Sequence, residues 1–291
     1  MYACLSLDPA RTLEKVGVPL TEQSPKVIFA TRGRVCYITI NRPEVLNACD
    51  FETYAAIQTA FKRFDADPAL AVAIFTGVGE RAFCAGSDIK SNFAGGGIDK
   101  LDQAGDTTVT GDKKAADGVG WHIGQVSKIV ICGINGHANG GGLEQAIASD
   151  IRVAVRSAQL GLGEVRLGLL PGGGGTQRLP RLIPKGRAIE MLVTGNRIGA
   201  EEGLRLGIID HVVSDLDELM EKCEAIAEEV ALSAPIAVQV IKRVAMAGLD
   251  TTMEEGLQLE AEGFAELTAT DDSREGTNAF AEKRLPQWKG R

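Results

Sequence analysis

The chain has 291 residues, of which 44% are hydrophobic and 24% charged, which supplies a sizeable core and excludes a chain disordered throughout. The length suits one large domain or a domain with an appendage. The formal net charge of −8, with no basic stripe, argues against nucleic acid as the main partner, although a few local Lys and Arg suffice for an anionic ligand.

In chain order, residues 1–25 are weakly patterned and read as an N-terminal extension. The α/β core is expected over 26–215. It opens with two strand-like runs, 26–30 and 35–40, separated by a Thr-Arg-Gly-Arg turn, which predicts a hairpin. A helix begins near Asp50, its natural N-cap, with Phe51, Tyr54, Ile57, Phe61 and Phe64 on one face. A buried strand is predicted over 71–77. From Asn92 to Gly120 the chain is rich in Gly, Asp, Thr and Lys and reads as a long loop, with a helical start near Asp112. Strands follow over 129–134, 150–155 and 208–213, and helix-like segments over 143–148, about 172–183, 186–193 and from Ala200. Beyond them, 216–231, 235–247, 252–268 and 272–282 all look helical, so 216–291 is expected as a C-terminal helical subdomain.

No apolar run approaches the ~20 residues of a membrane span, and no basic segment followed by a long apolar run opens the chain. A cytoplasmic protein without membrane attachment is expected. Cys4, Cys36, Cys49, Cys84, Cys132 and Cys223 form no Cys-x-x-Cys pair and read as reduced, buried small hydrophobes. His122, His137 and His211 share no metal-ligand spacing, so no metal site is expected; His137 is a candidate pocket residue and His211 a structural one.

The stretch Asn135-Gly136-His137-Ala138-Asn139-Gly140-Gly141-Gly142-Leu143-Glu144 organises the rest. A buried strand runs into a glycine turn and then a helix start, which aims backbone N–H groups at an anion. Glu144 follows Gly141 by about one helical turn, so a carboxylate and free amides face one space. An acid/base beside an oxyanion hole is the minimum for making and reprotonating an enolate. The same glycines also suit plain tight packing, and a Glu in a first turn suits the helix dipole. Cys84-Ala85-Gly86-Ser87-Asp88 is a second strand-to-turn junction, so two turns could each give one N–H to one oxyanion. Glu164 is a second carboxylate, ahead of a further glycine-rich turn.

Taken together these pieces resemble the enoyl-CoA hydratase/isomerase (crotonase) superfamily. The resemblance runs over about 26–288, through Asn41-Arg42-Pro43, the segment 81–90, Asn135 to Glu144, Gly163-Glu164 to Leu179, Thr194-Gly195, Ala200 to Gly207 and the tail 280–286. It implies an α/β fold, a spiral of ββα units with a C-terminal helical trimerisation subdomain, forming homotrimers or hexamers built as dimers of trimers. It implies an acyl-CoA thioester substrate, with coenzyme A part of that substrate and no separate cofactor. The thioester oxygen would sit between the backbone N–H groups of Ser87 and Gly141. Glu144 and Glu164 would share one water, with the Gly172 backbone orienting it. Coenzyme A would lie against Ala85, Ser87, Asp88 and Ile89, with Lys90 and, from a neighbouring subunit, Lys283 as phosphate partners.

Family hydratases keep both carboxylates, whereas isomerases usually keep one. Two here favour an enoyl-CoA hydratase/dehydratase, a carbon–oxygen lyase of the β-oxidation type, over an enoyl-CoA isomerase. A carnitinyl-CoA dehydratase-like enzyme and, outside enzymes, an inactive binding scaffold of the same fold stand as alternatives. The chain departs from the family at Glu44, where relatives are often basic, at Gly161-Leu162-Gly163, where a polar residue and a proline are common, and in the long 92–120 segment. The last borders the acyl pocket in relatives, which leaves a branched, polar or carnitine-like acyl group open.

Overall fold

A computed structural model of the chain describes residues 25–93 and 123–291. The expected N-terminal extension, nearly all of the 92–120 loop with its helical start at Asp112, Cys4 and His122 lie outside the described residues.

Strand β1 (Val27–Arg32) pairs antiparallel with β2 (Val35–Ile40), which is the predicted hairpin. All six residues of β2 are buried, as are all six of β3 (Val72–Gly77). Strands buried on both faces belong inside a sheet covered on each side. Accordingly β2, β3, β5 (Ile129–Ile134), β7 (Ile151–Val155) and β10 (His211–Val213) run parallel in a six-stranded sheet of order β1-β2-β3-β5-β7-β10.

The short strands between them form a second sheet. It contains β4 (Ala82–Cys84), β6 (His137–Asn139), β8 (Gln159–Gly161) and β9 (Ile198–Gly199), in that order. The chain therefore deals strands alternately, β3 then β4, β5 then β6, β7 then β8, into two sheets. Each turn of this spiral passes through a sharp corner, and the corners stack. That stacking brings the segments after β4, β6 and β8 to one place.

Helix α1 (Phe51–Ala66) starts at the predicted cap: Asp50 Oδ1 accepts the Thr53 N–H at 2.8 Å. Its Ile57, Phe61 and Phe64 are buried, and Phe61 and Phe75 meet edge to face at 5.2 Å. Further on come the short helix α2 (Ile89–Phe93), α3 (Gly141–Ala148), α4 (Gly175–Leu182), α5 (Lys185–Thr194) and α6 (Ala200–Leu206). The C-terminal helices are α7 (Leu216–Ala231), α8 (Pro235–Gly248), α9 (Met253–Thr268) and α10 (Asp271–Glu282), within a residue or so of the predicted bounds. Helix α7 buries Leu219, Met220, Cys223 and Ala227 in the core of the first sheet. The other three stand off the core and expose Leu249, Met253, Leu257, Phe264 and Phe280.

Cys36, Cys49, Cys84, Cys132 and Cys223 are buried free thiols, as expected. Among the described residues no single helix is long and apolar enough to cross a membrane, and no group of His, Cys, Asp or Glu could hold a metal ion.

Candidate active site

The corner after β5 is fixed by Asn135, which is fully buried. Its Oδ1 accepts the Gly77 N–H at 3.1 Å and its Nδ2 donates to the Gly79 carbonyl at 2.6 Å. Strand β6 then delivers the chain to Gly140, whose φ of +52° is open to glycine and strained for other residues. Because Gly140 makes the turn as N-cap, α3 starts at Gly141, two residues before the predicted Leu143. The Gly141 N–H is thus a first-turn amide with no intrahelical acceptor.

Ser87 is positioned by a parallel bridge to Cys49. The Cys49 N–H donates to the Gly86 carbonyl and the Asp88 N–H to the Cys49 carbonyl, both at 2.8 Å. Successive amides of an extended chain point to opposite sides, so the Ser87 N–H faces away from Cys49. A Cβ on Gly141 would lie 3.9 Å from the Ser87 nitrogen. Among the described residues neither amide finds an acceptor. The two expected donors are neighbours and uncommitted.

Glu144 lies on the first turn of α3 and is only 4% exposed. Its Oε1 accepts the Gly175 N–H at 2.7 Å. Burial pushes its carboxyl up to about 7 against the pull of that amide, and the charge of Glu164 adds to the rise. Glu164 opens a 3-10 turn, Glu164–Leu167, immediately after β8. Burial raises its carboxyl too, and its Oε2 is buried without a donor among the described residues. A Cβ on Gly140 would lie 3.0 Å from Glu164 Oε1, which puts this carboxylate beside the glycine turn. Of the two predicted carboxylates, Glu144 is anchored by the Gly175 amide and Glu164 lies uncommitted beside the Gly140 turn.

The other predicted residues divide. Gly172 is exposed, and its neighbours Gly173 and Gly175 make the backbone contacts to Glu144. The Ala85 N–H is already donated to the Leu46 carbonyl at 3.0 Å and the Asp88 N–H to Cys49, which leaves carbonyls and the Ser87 amide for a ligand. Asp88 uses its carboxylate on Arg42 and Ser91. Ile89 is 48% exposed, and Lys90 and Lys283 are exposed. His137 Nδ1 accepts the Gln159 N–H at 3.2 Å, a link between β6 and β8.

Several residues at the site are given no role there from the sequence. The Arg42 guanidinium reaches Asp88 at 3.0 Å and Asp50 at 3.4 Å, and donates to the Ala48 carbonyl, so it ties the Ser87 loop to the start of α1. Arg178 donates to the Gly173 carbonyl at 2.9 Å and supports the turn that grips Glu144. Tyr54, which the helical period assigns to the core face, carries its hydroxyl to 3.3 Å from Ser87 Oγ. Period places a ring on a face, but the polar tip of a tyrosine reaches well past its own turn.

Residues 30–291 match the family model of enoyl-CoA hydratase/isomerase. The chain is similar to carnitinyl-CoA dehydratase of Proteus mirabilis (strain HI4320), with 40% identity over 278 residues, 92% of this chain and all of that one. It is similar to (E)-benzylidenesuccinyl-CoA hydratase of Thauera aromatica, with 38% identity over 266 residues, 91% of this chain and 99% of that one. Among solved structures, an enoyl-CoA hydratase from Bacillus anthracis superposes with a TM-score of 0.84 at 37% identity, covering 92% of this chain and all of the other.

Proposed function

The chain belongs to the enoyl-CoA hydratase/isomerase family, and from that membership we propose that its two-carboxylate site adds water reversibly to the double bond of a 2-enoyl-CoA thioester. The observation that carries the reading is the pairing of Glu144 and Glu164 across the site, both pushed up by burial. The raised carboxyl of Glu144, beside the charge of Glu164, keeps a proton available near neutral pH, which is what syn hydration uses.

The thioester oxygen takes the Ser87 and Gly141 amides. As the water oxygen bonds to Cβ, one carboxylate of the pair receives a proton from that water. The other, entering as the carboxylic acid, gives its proton to Cα. The double bond is consumed through an enolate whose charge rests on the two amides, and the pair still holds one proton, which returns to the acid before the next turnover. Gly175 keeps Glu144 aimed, and Gly172 is a further backbone donor for the water. Fixed amides need no reorganisation as charge develops, and losing one such donor costs roughly 3–4 kcal/mol in other enzymes. The coenzyme A moiety is assigned to the 85–90 segment, with Lys90 and, from a neighbouring subunit of the trimer, Lys283 at its phosphates. No separate cofactor takes part in this scheme.

Similarity to a carnitinyl-CoA dehydratase supports a second reading, the same chemistry run toward water loss on a polar acyl group. The exposed apolar residues of α8, α9 and α10 support a homotrimer or a hexamer of paired trimers. A cytoplasmic place in fatty-acid breakdown goes with that reading.

The test mixes the purified protein with crotonyl-CoA and follows the conjugated enoyl-thioester absorbance. A fast fall supports hydration, and Glu144→Gln and Glu164→Gln should each slow it by orders of magnitude while acyl-CoA still binds. If Glu144→Gln kept full activity the isomerase reading would replace this one. If no CoA ester bound at all, the chain would be a scaffold.

A further inference from the structure

The Ser87 and Gly141 amides do not stand alone. The Tyr54 hydroxyl is 3.3 Å from Ser87 Oγ, and a Cβ on Gly141 would meet that hydroxyl at 2.8 Å. The same Cβ would lie 3.9 Å from the Ser87 nitrogen. Tyr54 therefore puts an O–H group into the space shared by the two amides. From this geometry we propose that Tyr54 is a third hydrogen-bond donor to the thioester oxygen, oriented by the Ser87 hydroxyl. The proposal rests on the water-adding reading above.

Three features suit Tyr54 to this work. Its bond to Ser87 is long for a pair of hydroxyls, whose usual separation is about 2.7–2.8 Å. The hydroxyl is thus free to turn to a stronger acceptor, and an enolate oxygen is one. Its backbone is held rigidly. Tyr54 sits in the first turn of α1, where Asp50 caps the helix and Arg42 joins Asp50 to Asp88. Asn92 closes the same corner, accepting the Phe51 N–H at 3.2 Å and donating to the Cys49 carbonyl at 3.1 Å. The donor and the amides are fixed by one network, which is what a preorganised site requires. Finally, burial together with the nearby Cys49 and Cys84 thiols raises the Tyr54 phenol well above its ordinary range, so it stays a donor across the working pH. An alanine at position 87 would leave the amide but remove the hydroxyl that steers Tyr54.

The test uses the full chain with two ligands. 2,4-Hexadienoyl-CoA is a conjugated thioester whose absorbance moves to longer wavelength when donors polarise its carbonyl. Butyryl-CoA is saturated and reports binding alone. Tyr54→Phe is expected to lose part of the wild-type red shift and to lower kcat on crotonyl-CoA by about 10- to 100-fold, with butyryl-CoA binding little changed. Ser87→Ala should show a smaller loss in the same direction, and the double variant should match Tyr54→Phe alone, because the serine acts through the tyrosine. An unaltered red shift and kcat in Tyr54→Phe overturns the proposal. So does a loss confined to butyryl-CoA affinity, since that is what a packing residue gives. Where the wild type hydrates crotonyl-CoA and Tyr54→Phe equals it, only this proposal falls. Where the wild type itself shows neither turnover nor red shift, the water-adding reading falls with it.

Discussion

Gly175 donates its N–H to Glu144 Oε1 at 2.7 Å across 31 residues of sequence. One end of this bond lies on α3 behind one glycine turn, and the other opens α4 behind a second. A carboxylate with 4% exposure is held by backbone groups of the second glycine turn. The space around it is tight, and that tightness is testable.

A Cβ on Gly173 would lie 2.8 Å from Glu144 Oε2 and 3.1 Å from its carboxyl carbon. Gly173→Ala should therefore push the carboxylate off its position without touching the Ser87–Gly141 amides. A displacement of this size is expected to lower kcat about 100-fold, while the affinity for a saturated acyl-CoA holds. Steady-state kinetics on crotonyl-CoA beside a butyryl-CoA titration will check it. Equal losses in both measurements would mean that the substitution deforms the whole site.

Stability should depend on pH through Glu144 in an unusual direction. Its carboxyl titrates near 4.5 when free and near 7 in the fold. Between those values the native state keeps a proton that the unfolded chain has released, so stability falls as pH rises through this window. Glu144's contribution is fully present below pH 4.5 and lost above about 7, on the order of 3 kcal/mol in all. Glu144→Gln has no such proton to lose. Its urea midpoint should gain on the wild type between pH 5 and pH 8, and a gap that stays constant would show that Glu144 does not titrate there.

Gly142 and Gly163 should respond oppositely to the same change. A Cβ on Gly142 would run into the Cys84 carbonyl, its carbon and its side chain at once. None of these is the loose end of a flexible side chain, so Gly142→Ala is expected to cost upwards of about 4 kcal/mol. A Cβ on Gly163 would meet nothing within 4 Å, and Gly163 has φ of −96°. Gly163→Ala should stay within about 0.5 kcal/mol of wild type. Denaturation midpoints compare the two directly, and similar losses would contradict the packing described here.

Much of this molecule is legible in the sequence because its signals are local. The Asp50 cap, the 26–40 hairpin and the four C-terminal helices follow from side-chain period, capping and turn chemistry, which act within a few residues. Family resemblance then marks Glu144, Glu164, Ser87 and Gly141. The start of α3 was less legible: a run of three glycines does not say which one turns the chain, and only the positive φ of Gly140 fixes it.

The sequence by itself carried the α/β class and the glycine turns, because strand period and turn chemistry act within a few residues; the family and the candidate carboxylates Glu144 and Glu164 came from a resemblance spread over about 26–288. Tertiary structure alone decided which groups complete the site. Gly175 reaches Glu144, Arg42 binds the Ser87 loop to α1, and Tyr54 turns from a core-face aromatic into a hydroxyl facing Gly141. Those choices depend on where the spiral stacks its corners. Contacts between residues thirty or more positions apart are set by the packing of two sheets, and no local pattern encodes them.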